Sequence, residues 1–126
     1  MESPPPSDPD RRGLGLAGEE RAARHLTDRG LDVVLRNWRC RMGELDLVAL
    51  DGSVLVIVEV RQRRRADYGG AAASITHAKR RRIIRATRHL LMRRPDLARL
   101  PARFDVVALD GPDGRIDWIR AAFDAG

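Results

Sequence analysis

Apolar and polar positions alternate most regularly from Gly43 to Arg65, Gly-Glu-Leu-Asp-Leu-Val-Ala-Leu-Asp-Gly-Ser-Val-Leu-Val-Ile-Val-Glu-Val-Arg-Gln-Arg-Arg-Arg. The pattern reads as two β-strands joined at Asp51-Gly52. A two-residue hairpin turn needs positive φ, which glycine supplies without steric cost. Pairing Leu50 with Ser53 sets Ala49 against Val54, Val48 against Leu55, Asp46 against Ile57 and Glu44 against Glu59. Opposed residues share a face and successive side chains alternate. Glu44, Asp46, Glu59 and Arg61 then project from one side, and Leu45, Leu47, Val58 and Val60 from the other.

Other periodicities place the remaining elements. Residues 1–13 hold four prolines, two serines and several charges, and read as a disordered tail before one domain spanning 14–126. Leu16 to Arg29 reads as a helix ending at Gly30, with Leu16, Ala22, Ala23 and Leu26 as its apolar stripe. Glu19 falls on that stripe. It either caps the first turn, where the helix dipole favours negative charge, or reaches the acidic face of the hairpin. Leu31 to Arg36 is the first strand, and Asn37 to Arg41 leads into the hairpin.

Ser74 to Arg94 is the longest helix, with Ser74 or Thr76 as N-cap. Its stripe is Ile75, Ala78, Ile83, Ala86 and Leu90, and Lys79 lies on it. The Lys79 ammonium either snorkels past apolar neighbours or points at the acids. Pro95 to Pro101 is a linker, Arg103 to Leu109 a strand, and Gly111 to Gly114 a turn. Ile116 to Ile119 is a short final strand, with Ala121 to Phe123 as a closing element. The order predicts an α/β fold with a mixed sheet flanked by helices.

Composition narrows the function classes. The chain has 126 residues, 24 Lys+Arg against 18 Asp+Glu, a net charge of +6 and a pI near 11.0. That balance favours an anionic partner, nucleic acid before an anionic membrane. A single cysteine, Cys40, excludes an internal disulfide and a cysteine-built metal site, and suits a reducing cytosol. No apolar run is long enough to span a bilayer and the N-terminus has no apolar signal region. A cytoplasmic protein is therefore expected.

The acidic hairpin face points to chemistry. Opposed like charges repel, and a divalent cation reverses that sign. Mg²⁺ and Mn²⁺ prefer carboxylate oxygen, and Mg²⁺ commonly takes one or two carboxylates. The alternative is a salt-bridged face with Arg61 neutralising Glu59. Beyond Arg61 come Arg63, Arg64, Arg65 and Tyr68. Arginine forks match phosphate oxygens bidentately and a tyrosine ring stacks on bases, so this loop is expected to hold nucleic acid.

The Gly43-Glu44-Leu45-Asp46 and Val58-Glu59-Val60-Arg61 motifs resemble the Asp…Glu-x-Lys pattern of restriction-endonuclease-like (PD-(D/E)xK) nucleases. With Gly18-Glu19, Arg36-Asn37-Trp38-Arg39, Tyr68-Gly69-Gly70, Lys79 and Arg103-Phe104-Asp105-Val106-Val107, the ordered set resembles the YraN-like family of small bacterial proteins. It is also similar to archaeal Holliday-junction resolvases. The resemblance spans roughly Leu14 to Phe123 and implies an αβββαβ restriction-endonuclease-like core. It further implies Asp46 and Glu59 as metal ligands, Glu44 as an accessory ligand, Glu19 as a helix-borne acid, and Mg²⁺ or Mn²⁺ as cofactor. Arg61 stands where the broader superfamily carries lysine. Arginine cannot act as a base but can hold a phosphate, which leaves Lys79 as the candidate substitute.

Two readings follow. One is a metal-dependent endonuclease that hydrolyses DNA phosphodiesters, on branched or flapped substrates by analogy, with Asp46, Glu59, Arg61, Glu19 and Lys79 in the site. The other is a non-catalytic nucleic-acid-binding module of a DNA-processing assembly. DNA is expected over RNA, and a homodimer is allowed although no interface is legible.

Overall fold

A computed structural model describes residues 9–62, 75–110 and 114–125, with side chains from residue 16 onward. The elements are α1 (Pro9–Asp28), β1 (Asp32–Cys40), β2 (Gly43–Asp51), β3 (Val54–Gln62), α2 (His77–Arg93), α3 (Pro95–Ala98), β4 (Ala102–Leu109) and β5 (Ile116–Phe123). The strands form one five-stranded sheet in sequence order. β1, β2 and β3 pair antiparallel, β3 and β4 parallel, and β4 and β5 antiparallel. The only parallel pair of that sheet is the one bridged by α2, as a crossover requires.

Each face of the sheet packs one long helix, and the short α3 adds Leu97 to the α2 side. α2 lies on the side of Leu55, Ile57, Phe104 and Val106, and buries Ile83, Ala86 and Leu90. α1 lies on the opposite side and buries Ala22, Ala23 and Leu26 against Leu47, Val56, Val58 and Val107. β3 has apolar residues on both faces because both are covered. Thr76 caps α2, its hydroxyl accepting from the Lys79 N–H at 3.1 Å. Gly30, at φ +94, ends α1 where a left-handed residue is needed.

Several boundaries differ from those expected. α1 begins at Pro9 rather than Leu16 and so takes in residues 9–13 of the expected tail. β1 continues through Asn37 to Cys40. The stretch read as a linker contains α3, with Pro95 at its start. β5 runs through to Phe123, past a register shift between Phe104 and Val106 of β4 and a positive φ at Ala121. Buried Asp105 fills that irregularity: it accepts from the Ala121 N–H at 2.9 Å, the Trp118 indole at 2.9 Å and Arg103 Nε at 3.1 Å.

Two corrections concern the hairpin itself. The turn is Gly52-Ser53, not Asp51-Gly52. Gly52 sits at φ +60, Asp51 pairs with Val54 and Leu50 with Leu55. Glycine at the first central position is the type II′ arrangement, whose twist matches the strands. The slip is two residues, so faces are kept. It sets Asp46 level with Glu59 instead of Ile57, one step past the Leu47–Val58 pair.

The second correction is to strict alternation. Leu45 and Val48 both pack on the α2 side, whereas Leu47 packs on the α1 side. On β1, Leu35 and Trp38 likewise share the α2 side, and between them Asn37 has φ +50. Trp38 still pairs with Leu45 and Arg36 with Leu47. β1 and β2 therefore kink together at Asn37 and Asp46, and Leu45 and Leu47 do not share a face. Asparagine tolerates the left-handed conformation better than most side chains.

Candidate active site

The kink releases Asp46 from regular alternation. Its Oδ2 accepts a hydrogen bond from the Val60 backbone N–H at 2.9 Å, tying the end of β2 to β3 through a side chain. Glu59, the residue before Val60, is buried on the α2 side. The two carboxyls lie side by side in a cleft of about 230 Å³ lined by Gly43, Glu44, Asp46, Glu59, Lys79, Arg82 and Ile83.

Electrostatics in the cleft are strained. Burial, then the neighbouring Asp46 charge, push the Glu59 carboxyl up to about 7. Asp46 is also raised, first by burial, against the opposing effect of the Val60 N–H. Near neutrality the Glu59 carboxyl, beside Asp46, is therefore partly protonated. Lys79 partly offsets this. Its Nζ lies 2.8 Å from Glu59 Oε1, with the glutamate side chain 5% exposed and the lysine 37% exposed. The position on the apolar stripe thus serves the acids; the lysine does not simply snorkel to water.

Glu19 approaches from the other helix. Burial raises its carboxyl, followed by the charge of Asp46, while a hydrogen bond from Asn37 opposes the shift. Its Oε2 is buried with no hydrogen-bond partner among the described residues. This rules for the second of the two roles open to it, since its environment is the acidic strand end. Gly18 explains the approach. A Cβ there would lie 2.5 Å from Gln62 Nε2 and 3.0 Å from Leu109 Cδ1, so α1 touches the sheet where a side chain is missing.

Glu44 borders the cleft but leans outward, 3.5 Å from Arg39 Nε. Arg61 is half-buried with Nε enclosed and lacking a hydrogen-bond partner among the described residues. It does not line the cleft. Arg63, Arg64, Arg65 and Tyr68 lie outside the described residues. The structure therefore brings together Asp46, Glu59, Lys79 and Glu44, sets Glu19 near Asp46, and leaves Arg61 out of the cleft lining.

Two contributors escaped the sequence reading. Arg82 lines the cleft, and its Cβ lies 3.7 Å from the position of a Cβ on Gly43. Its signal is its spacing, three residues after Lys79 on the same flank of the helix. Asn37 holds Glu19, and a kink-forming asparagine inside a strand is the sign that marked it.

Carboxylate oxygens are the donors that a hard divalent cation prefers. Asp46 and Glu59 fit such an ion as a two-carboxylate site, because a dication offsets the burial that disfavours both carboxylates as anions. Among the described residues, no three His, Cys, Asp or Glu side chains group closely enough to hold a metal between them. Glu44 is turned to Arg39, and Lys79 occupies one Glu59 oxygen.

A family model described as "Uncharacterised protein family UPF0102" matches residues 18–109, which include every cleft residue named above. A UPF0102 protein of Dechloromonas aromatica is 54% identical over 111 residues, 88% of each chain. One from Legionella pneumophila is 44% identical over 112 residues, 89% of this chain and 95% of that one. One from Pseudomonas aeruginosa is 48% identical over 118 residues, 90% of this chain and 94% of that one.

Proposed function

The chain belongs to the uncharacterised protein family UPF0102, and from that premise we propose that it is a metal-dependent endonuclease acting on nucleic-acid phosphodiesters, with DNA the preferred substrate. The observation that carries this reading is the buried Asp46–Glu59 pair, held by the Val60 N–H on one side and the Lys79 ammonium on the other. The order αβββααββ contains an αβββαβ core once the short α3 and the added β5 are set aside, and with β3 and β4 parallel around a crossover helix it supports a restriction-endonuclease-like reading.

Asp46 and Glu59 would hold Mg²⁺ or Mn²⁺ through one carboxylate each. A bound dication supplies Lewis-acid polarisation of a phosphate oxygen and a more acidic water. The chain's own groups do the rest. The Val60 N–H fixes Asp46. The Lys79 ammonium, reaching in from the half-exposed rim of the cleft, favours the ionised form of Glu59 and offers a proton to the leaving oxygen. Lys79 thereby takes the place that Arg61 cannot fill, since guanidinium does not release its proton near neutrality. Glu19, with one oxygen free of protein partners among the described residues, could accept a proton or orient water, and Asn37 hydrogen-bonds to its carboxyl.

Cleavage of labelled duplex, flap and four-way DNA with Mn²⁺ or Mg²⁺ tests this. Asp46→Ala and Glu59→Ala are expected to lose cleavage while remaining folded. Equal activity in Asp46→Ala ends the proposal.

A specific observation favours a second reading. Glu44 is turned to Arg39 so that no third acid groups with Asp46 and Glu59 among the described residues, Lys79 already pairs with Glu59, and arginine stands at the lysine position. These suit a non-catalytic module that grips nucleic acid, with the acid–lysine pair as a structural tie. It predicts binding that weakens steeply with salt and no cleavage with any divalent ion.

A further inference from the structure

Positive charge is not spread evenly over the molecule. α2 carries Lys79, Arg80, Arg81, Arg82, Arg85, Arg88 and Arg93 and no acidic residue. Of the chain's 24 basic and 18 acidic residues, 17 and 18 are left for everything else. The whole excess of positive charge therefore sits on one helix.

The arrangement on that helix is ordered. Lys79, Arg82, Arg85 and Arg88 recur every three residues. Each step advances about 4.5 Å along the axis and swings about 60° back around it. Such a row forms an oblique ridge on a helix surface. Its inner end is Lys79 on buried Glu59, and its second member, Arg82, lines the acidic cleft. Arg85 and Arg88 continue outward on the exposed side, opposite buried Ile83 and Leu90. Arg82, Arg85 and Arg88 have no ion-pair partner among the described residues.

This layout is unfavourable for the helix by itself. Cations in the first turn oppose the helix dipole, and like charges three or four residues apart repel by a few tenths of a kcal/mol each, roughly 0.2–0.5. An anion lying along the ridge removes both penalties. A membrane-binding helix would interleave large apolar residues with its basic ones. Here the outward face, Arg81, Arg85, Arg88 and Met92, has one apolar member. A phosphate chain fits better, since one strand of a duplex presents a phosphate about every 3.4 Å of axis.

We propose that the Arg82–Arg85–Arg88 ridge is the track along which one nucleic-acid strand leaves the acidic cleft. Arg82 holds the phosphate beside the cleft, and Arg85 and Arg88 hold the phosphates that follow. The inference rests on the reading of the cleft as a nucleic-acid site and deepens it by naming the surface that positions the strand.

The test is binding of fluorescein-labelled duplex DNA by the full chain in EDTA, followed by anisotropy over a series of salt concentrations. The triple variant Arg82→Gln/Arg85→Gln/Arg88→Gln is compared with Arg24→Gln/Arg29→Gln/Arg99→Gln, which removes the same charge from exposed positions elsewhere. Each lost phosphate contact flattens the log–log salt slope by about 0.9, so the ridge variant is expected to flatten it by roughly 2–3 and the control by little. Equal slopes in wild type and ridge variant, or equal flattening in both variants, overturn the ridge. So does a wild-type chain that binds phosphatidylserine vesicles but not DNA. The outcomes separate the two proposals: ridge-dependent binding without metal-dependent cleavage overturns the nuclease reading alone, and cleavage with an unchanged slope overturns the ridge alone.

Discussion

Lys79 on α2 and Glu59 on β3 meet at 2.8 Å, the glutamate buried and the lysine reaching it from the half-exposed rim of the cleft. The contact pins the first turn of the helix to the strand that carries the acidic motif. It also supplies the cation closest to a pair of carboxyls that burial disfavours as anions.

Replacing Lys79 by methionine keeps the packing and removes that cation. Glu59 then has less support as an anion, so its carboxyl rises above its present value of about 7. The loss is expected to depend on pH. At pH 8 the variant should lose about 1–2 kcal/mol, less than a fully buried pair because the lysine is part-exposed. At pH 5, where Glu59 is protonated in both proteins, the loss should be small. Urea unfolding at the two pH values measures it, and equal losses would mean that Lys79 contributes only packing.

Glu59 also sets a slope in the stability of the unmodified protein. Its carboxyl titrates at 4.5 in the unfolded chain and at about 7 in the fold. Between those values the folded state binds the extra proton, so stability falls as pH rises. The full shift corresponds to roughly 3 kcal/mol, lost between about pH 4.5 and 7. Glu59→Gln cannot titrate. The variant is expected to be more stable than wild type at pH 8 and nearly equal at pH 4.5, and the difference between the two urea titrations isolates this group. Parallel curves for the two proteins would show that Glu59 is an ordinary carboxylate.

A dication relieves the same strain by another route. Mn²⁺ or Mg²⁺ is expected to raise the melting temperature at pH 7.5 in a concentration-dependent way, since a ligand at one hundred times its Kd stabilises by about 2.7 kcal/mol. Binding at pH 6.5 should also release the proton that Glu59 retains, measurable by calorimetry in buffers of different ionisation enthalpy. Asp46→Asn should abolish both effects. A melting temperature that does not move with either ion would leave the pair as a structural tie.

Much of this architecture is legible in the chain, for reasons that can be given residue by residue. The hairpin showed because Asp-Gly-Ser interrupts two long apolar runs. Its turn was misplaced by one residue because Asp51-Gly52 and Gly52-Ser53 both offer glycine a positive φ, and only packing selects between them. The slip spared the site because faces repeat every two residues. The joint kink at Asn37 and Asp46 was hidden, since alternation carries no mark where two strands reverse together, and Leu45 was assigned to the wrong side. Lys79 was legible as a stripe residue but its target was not, because only the crossover of α2 over β3 decides which acid it meets. Arg82 was lost among its arginine neighbours: in a run of three, the sequence does not say which one faces the cleft.

Gly18 offers the last test, because it links helix packing to the acid beside it. The absent side chain lets α1 lie against Gln62 and Leu109, and that contact delivers Glu19 to the strand end. Alanine has a modest effect here. The exposed Gln62 amide can swing away, Leu109 must yield by a few tenths of an ångström, and alanine favours helix by about 1 kcal/mol over glycine. Valine is different, because its branches add volume against Leu109 and it gains less helix propensity over glycine than alanine does. Overpacking of this kind typically costs about 1–3 kcal/mol. Gly18→Val is expected to lose stability in that range and to lift Glu19 away from Asp46. Any metal-dependent cleavage should therefore fall further than unfolding explains, when assayed well below the melting temperature. A Gly18→Val protein as stable and as active as wild type would show that α1 does not depend on this close approach, and that Glu19 is not held in place by it.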